Sequence, residues 1–87
     1  MKASYLFKQY VWLVDTIRRV GHITLRDFNE RWMRTDMSEG HPFSRATFRR
    51  HRNEVEEMFG IDIKCDNENR YYIDDTSLMS SDSVTRW

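Results

Sequence analysis

Apolar residues recur at steps of three and four between residues 4 and 20, which places them on one face of a helix. These positions are Leu6, Tyr10, Leu13, Val14 and Ile17. Gly21 follows, and glycine commonly supplies the left-handed residue that ends a helix. The pattern therefore predicts a first helix that ends at about Val20.

A second helix is predicted from its start signals. Thr24 is a suitable N-cap, and Asp27 follows three residues later, as in a capping box. Ile23 before the cap and Phe28 in the first turns form a hydrophobic staple. The helix is expected to cover residues 25 to about 34. Its predicted buried residues are Leu25, Phe28 and Trp32.

The same start signals return after a loop. Residues 35–43 contain a glycine and the chain's only proline, without a hydrophobic period, so they predict a connection. Ser44 is the next N-cap, and Phe43 and Phe48 take the staple positions. A third helix is expected over residues 44–59, with a glycine directly after it. The nine-residue loop is longer than a simple helix-turn-helix uses.

A β-hairpin is predicted after the helices. Residues 61–65 alternate apolar and polar, residues 66–69 are turn formers, and residues 70–73 are aromatic and β-branched. Three helices followed by a hairpin predict a mainly α fold with a small β-hairpin (α+β), the three-helix winged helix-turn-helix. Residues 1–73 are expected to form this domain.

The remaining residues 74–87 lack a core pattern. Residues 74–82 are rich in Ser, Asp and Thr, which predicts a polar linker. Residues 83–87 begin like a capped amphipathic helix and stop after one turn. We therefore expect a further domain downstream of this chain.

Charge is separated along the chain, although the formal net charge is zero. Residues 1–53 hold eleven Lys and Arg against five Asp and Glu, a net charge of +6, and residues 54–87 carry −6. The basic half is where a phosphate backbone is expected to lie.

An arginine cluster marks the predicted third helix. Four arginines, Arg45, Arg49, Arg50 and Arg52, fall within eight residues that contain no acidic residue. At about 100° per residue, one stripe of the helix is apolar and is expected to be buried. That stripe is Phe48, Val55 and Phe59. Arg49, Arg50 and Asn53 point to the opposite, outer face.

These residue types suit DNA recognition. A guanidinium group can donate to two acceptors of guanine, and an asparagine amide can pair with adenine, so Arg49, Arg50 and Asn53 are candidate base contacts. The first turn of the helix, with its unpaired backbone amides, suits a phosphate. The candidate phosphate contacts there are Ser44, Arg45 and Thr47.

The hairpin offers a weaker signal. Lys64 and Arg70, with Asn67 and Asn69, could reach a DNA backbone or minor groove. Three acidic residues, Asp62, Asp66 and Glu68, oppose that interaction. Lys64 and Arg70 are retained as candidate DNA contacts of the wing.

Other conspicuous side chains are assigned to the core and its rim. Arg52 lies about 40° from Phe48, so its stem is expected to follow the core edge. His51 is expected to be a half-buried structural histidine. The aromatic residues assigned to the core, rather than to base stacking, are Trp12, Trp32, Tyr71 and Tyr72.

Several functional classes are excluded by composition. A single cysteine, Cys65, permits no intramolecular disulfide, and no apolar run approaches the roughly 20 residues that span a bilayer. No signal peptide is evident, so we expect a cytoplasmic protein. The three histidines and Cys65 are too irregularly spaced for a metal site. No catalytic motif is present, and neither enzyme activity nor a cofactor is expected.

The chain also resembles a known family in residues 5–73. The matching segments are YVWLVDTI at 10–17, RW at 31–32, SEG at 38–40 before Pro42, TF at 47–48, and EEMF at 56–59 followed by Ile61, Ile63 and CD at 65–66. This looks like the N-terminal winged-helix segment of bacterial WYL-domain transcriptional regulators, particularly those of Bacteroidetes. The resemblance implies a DNA-binding regulator whose DNA-contacting helix is 44–59 and whose downstream β-barrel senses a ligand.

The predicted function is sequence-specific binding of double-stranded DNA, with helix 44–59 in the major groove and hairpin 61–73 as the wing. A homodimer formed through the downstream region is the expected assembly. Two alternatives stay open at this point. The arginines could be an ordinary solvated face, or the domain could be a winged-helix protein-interaction module without DNA binding.

Overall fold

The computed structural model describes the backbone of residues 2–74 and the side chains of residues 5–74. In chain order the elements are α1 (Lys2–Val20), β1 (Ile23–Thr24), α2 (Leu25–Trp32), a 3-10 turn (Asp36–Ser38), α3 (Arg45–Phe59), β2 (Ile63–Cys65) and β3 (Arg70–Ile73). This is the predicted mainly helical α+β fold, in a winged-helix-like arrangement. The linker and short helix predicted for 75–87 lie outside the described residues.

The sheet has one more strand than the predicted hairpin. β3 is its central strand, with β2 on one side and β1 on the other, and both pairs are antiparallel. In the pair of β1 with β3, Ile23 lies opposite Tyr71 and Thr24 opposite Arg70. The predicted extended link before α2 is therefore a strand that joins the helices to the hairpin.

Aromatic side chains form the centre of the core. The Phe28 ring is fully buried, with ring centroids 5.1 Å from Phe48, 5.2 Å from Trp12 and 5.5 Å from Phe43. Phe48 in turn lies 4.7 Å from Tyr71 of β3. Burying each such ring stabilises the fold by about 1.5–3 kcal/mol. One aromatic cluster thus joins α1, α2, α3 and the sheet.

Both predicted helix starts are confirmed. The Thr24 hydroxyl accepts from the Asp27 amide at 3.1 Å, and the Ser44 hydroxyl accepts from the Thr47 amide at 3.1 Å. The staple residues before and after each cap are buried; they are Ile23 and Phe28, and Phe43 and Phe48. Gly60 ends α3 with φ 66°, in the left-handed region.

Three details of the sequence prediction are wrong at element ends. α2 stops at Trp32, two residues early, because the Thr35 hydroxyl donates to the Trp32 carbonyl and the chain turns there. Leu6 in the second turn of α1 stays 38% exposed, and Phe59, the last residue of α3, stays 37% exposed although its ring contacts Phe7 of α1, with centroids 6.1 Å apart. Helical period specifies the direction of a side chain, but not how far the core extends.

The aromatic assignments are confirmed except for one residue. Trp32 is buried, and Trp12 and Tyr71 are half-buried against the core. Tyr72 points to the other face of β3, because side chains alternate along a strand. There its ring stacks on His22 at 4.5 Å instead of entering the core.

Within residues 2–74, no helix combines the length and apolar character needed to cross a membrane.

Candidate nucleic-acid interface

The outer face of α3 carries the predicted base contacts. Arg45, Arg49, Arg50 and Asn53 are all exposed, while Phe48 and Val55 on the opposite side are buried. Within residues 5–74, none of the three arginines forms an ion pair or hydrogen bond. Their guanidinium groups are therefore available to an external acceptor. We call Arg45, Arg49, Arg50 and Asn53 the α3 face.

The start of α3 is positioned by side chains of α2. Asn29 accepts from the Phe43 amide at 2.8 Å and donates to the Phe43 carbonyl at 3.0 Å, and the Trp32 indole donates to the His41 carbonyl at 2.9 Å. These bonds hold the loop that leads into Ser44. The role of Asn29 is not visible in the sequence, because an amide on a helix carries no local signal for its distant partner.

The first turn of α3 combines exposed polar groups. The Ser44 hydroxyl, exposed at the cap, also donates to the Thr47 hydroxyl at 3.0 Å, so the two side chains form one polar edge beside Arg45. The first backbone amides of a helix have no partner inside it and favour anions. Ser44, Arg45 and Thr47 thus lie together, as predicted from their spacing.

A small cleft places a further arginine beside this turn. Arg26 in the first turn of α2 and Arg45 of α3 line the same cleft of about 240 Å³, together with Asn69 at the hairpin turn. Arg26 is largely exposed, and its only close carboxylate among the described residues is Glu30, with an Nε to Oε2 distance of 3.8 Å. The sequence does not predict this role for Arg26, since its position beside Arg45 depends on how the two helices pack.

The basic residues of the hairpin have carboxylate partners. Lys64 Nζ lies 3.1 Å from Asp74 Oδ2, and this hydrogen bond raises the pKa of the Lys64 ammonium group. Arg70 donates from Nε to Asp66 at 3.0 Å, and its Nη2 lies 3.3 Å from Glu68. Both predicted wing contacts thus have carboxylate partners, in contrast to the arginines of the α3 face.

Asp66 organises the hairpin turn. Its carboxylate accepts from the amides of Glu68 and Arg70 at 2.8 and 2.9 Å, from Arg70 Nε, and from His22 Nδ1 at 2.9 Å. Burial alone raises the pKa of this carboxyl, but the four hydrogen bonds outweigh it and hold the pKa well below its usual range. Asn69 completes the turn with φ 61°.

Arg52 and His51 flank the α3 face as structural residues. The Arg52 guanidinium carbon lies 5.7 Å from the centroid of the Tyr71 ring, and its stem follows the core edge as expected. His51 is half-buried; its Nδ1 lies 3.2 Å from the Thr47 carbonyl and its Nε2 3.2 Å from Gln9 Oε1. Burial lowers the pKa of the His51 ring.

The described residues contain no cluster of three or more His, Cys, Asp or Glu side chains that could hold a metal ion. The α3 face, Arg26 and the first turn of α3 present hydrogen-bond donors and positive charge.

The fold and this surface together define a winged-helix-like domain with a basic outer helix face. The chain matches no protein-family model, no curated protein and no solved structure. These comparisons therefore assign neither a family nor a function, and membership of the WYL regulators stays a prediction from the sequence.

Proposed function

We propose that this protein binds double-stranded DNA sequence-specifically, as the DNA-binding part of a transcriptional regulator, with α3 in the major groove. One observation carries the proposal. Arg45, Arg49 and Arg50 share an exposed helix face with Asn53, and none of the three arginines has a carboxylate partner within residues 5–74. The basic residues of the hairpin, Lys64 and Arg70, are by contrast paired with acidic side chains. Unpaired arginines on one exposed helix face favour an anionic ligand.

The arrangement separates base contacts from backbone contacts. Arg49, Arg50 and Asn53 project from the middle of α3, where a helix in the major groove meets base edges, and each bidentate pair contributes about 1–3 kcal/mol to discrimination. Arg45, Arg26 and the first turn of α3 lie at one end and suit phosphates. The resemblance to WYL-domain regulators independently supports the same helix as the DNA-contacting element.

The hairpin takes a smaller share in this proposal. In this proposal the wing lies beside the DNA. Because Lys64 and Arg70 are already paired with carboxylates, the wing contributes little to the release of counterions. Its polar turn residues, Asn67 and Asn69, are exposed and can donate hydrogen bonds to the backbone or minor groove. Salt dependence should therefore arise mainly from α3 and Arg26.

The test is selection from a duplex library with a randomised core, followed by polarisation titrations of the selected duplex across salt concentrations. Arg49→Ala/Arg50→Ala should weaken binding at least about 30-fold and reduce the preference for the selected duplex. Arg31→Ala/Arg34→Ala is the matched control, because it removes the same charge from exposed residues of another surface. If both variants lost the same affinity for the selected duplex, net charge alone would explain the effect, and the assignment of the α3 face would be wrong.

A second candidate function has its own supporting observation. Exposed apolar side chains of α1, with Phe7 at 48% and Val11 at 43%, favour a protein-interaction module. If the chain selects no duplex and binds none at low salt, this alternative replaces DNA binding. The apolar residues lie on α1, away from the α3 face, so the structure allows both interactions in one molecule.

A further inference from the structure

The small cleft beside the first turn of α3 joins three parts of the surface. Its volume is about 240 Å³, and its polar side chains include Arg26 of α2, Arg45 of α3 and Asn69 of the hairpin turn. The other residues of its lining are Thr24, Leu25 and Tyr71. Pockets for drug-sized ligands usually measure about 300–1,000 Å³, so this cleft suits a single small group. Arg45 belongs both to the cleft and to the α3 face.

The charge of the cleft favours an anion. Both charged residues of its lining are arginines, and no carboxylate lines it. Within residues 5–74, Arg45 has no ion pair, and the only carboxylate near Arg26 is that of Glu30, with an Nε to Oε2 distance of 3.8 Å. Two guanidinium groups that share a cleft repel each other unless an anion lies between them. A phosphate group can accept from both at once, and guanidinium groups match its geometry.

The fold holds the backbone on all three sides of the cleft. β1 pairs with β3, with Thr24 opposite Arg70, and this register brings the start of α2 beside the hairpin turn. The turn itself is fixed by the Asp66 carboxylate, which accepts from the amides of Glu68 and Arg70 on either side of Asn69. The loop before α3 is held by hydrogen bonds from α2. A ligand therefore meets backbone positions that are fixed before it binds, which lowers the cost of binding.

We infer that this cleft binds one phosphate group of the DNA backbone, with Arg26 and Arg45 as joint donors and the exposed side-chain amide of Asn69 as a third. The inference rests on the proposed function for the source of the phosphate. It goes further by assigning both arginines to the same phosphate rather than to two neighbouring ones. Arg45 precedes Arg49 by one helical turn, a rise of about 6 Å. A phosphate held in the cleft therefore fixes the position of α3 along the duplex.

The experiment replaces single phosphates of the selected duplex by uncharged methylphosphonates, one position at a time, and measures affinity by polarisation. At one position for each bound protein, wild type should lose affinity about tenfold, because charge-assisted hydrogen bonds are lost there. Arg26→Ala and Arg45→Ala should each reduce the loss at this same position to about threefold, and the double variant should abolish it. Arg31→Ala removes an exposed arginine of α2 outside the cleft and should leave the loss unchanged. Responses of the two single variants at two different positions, or at none, would overturn the shared phosphate while DNA binding itself would stand.

If the chain binds no duplex, a second measurement decides the inference. Inorganic phosphate is titrated into the ¹⁵N-labelled chain at constant ionic strength, and NMR follows the side-chain N–H signals of Arg26, Arg45 and Asn69. A shared site predicts that the three signals shift along one saturating curve, and that the response of Arg45 weakens at least about fivefold in Arg26→Ala. That result without duplex binding would overturn DNA as the source and uphold the cleft as a site for free phosphate. Signals that do not shift, or that shift independently, would overturn the cleft as well.

Discussion

The side-chain amide of Asn29 holds the backbone of Phe43 at both of its polar groups, accepting from the amide at 2.8 Å and donating to the carbonyl at 3.0 Å. A primary amide can imitate a backbone pair in this way, because it carries one donor group and one acceptor side by side. Through this contact α2 determines where the chain enters Ser44 and therefore where the α3 face begins.

Removal of that amide should loosen the entry to α3. Asn29→Ala leaves a partly buried amide and carbonyl of Phe43 without partners, which should lower the free energy of unfolding by about 1–3 kcal/mol in urea denaturation. Asn29→Asp keeps an acceptor for the Phe43 amide but places a carboxylate oxygen against the Phe43 carbonyl, so it should also be less stable than wild type. Wild-type stability in Asn29→Ala would argue against this role.

The hairpin turn should lose stability in acid through Asp66. The low pKa of Asp66 in the folded chain means that its carboxylate stabilises the fold fully above its ordinary pKa near 3.8. As the pH falls below about 4, the unfolded chain takes up the proton first, and this stabilisation is lost progressively toward the lower folded value. Urea denaturation between neutral and acidic pH measures the effect.

The matched comparison for that prediction is Asp66→Asn. The variant should be less stable than wild type at neutral pH, since an amide oxygen is a weaker acceptor for Arg70 and His22. The difference between the two proteins should shrink as the pH falls below about 4, because wild type then loses the charge as well. A difference that stays constant with pH would show that the Asp66 charge is not responsible.

Arg52 offers a test of a buried donor without a partner. Its Nε is buried and has no hydrogen-bond partner among the described residues, while its stem packs beside Tyr71. Arg52→Met keeps an unbranched stem and removes the unpaired donor, so it should be at least as stable as wild type. Arg52→Ala also loses the packing and should be less stable by about 1–2 kcal/mol. Thermal and urea denaturation of the three proteins decide the order, and a Met variant as unstable as the Ala variant would contradict it.

Local signals in the sequence were sufficient to predict where α2 and α3 start and which side of α3 faces the core. The hydroxyls of Thr24 and Ser44 cap helices from within three residues, and the hydrophobic staples close over a similar distance. The period of α3 likewise predicted that Phe48 and Val55 are buried and that Arg49, Arg50 and Asn53 are exposed. These features depend on neighbours within about one turn of helix, so the sequence order contains them.

Pairing over long distances was decided only in the tertiary structure. Ile23 forms a strand because the backbone of Tyr71 lies beside it, and two residues show no alternation from which a strand could be predicted. Arg26 joins Arg45 in one cleft because α2 and α3 pack together, and Lys64 is paired because the chain brings Asp74 to it. The sequence by itself therefore determined in which direction the helical side chains point, but not how far the core extends along each helix. The tertiary structure decided which exposed charges remain available, because any carboxylate brought within a few ångströms can neutralise them.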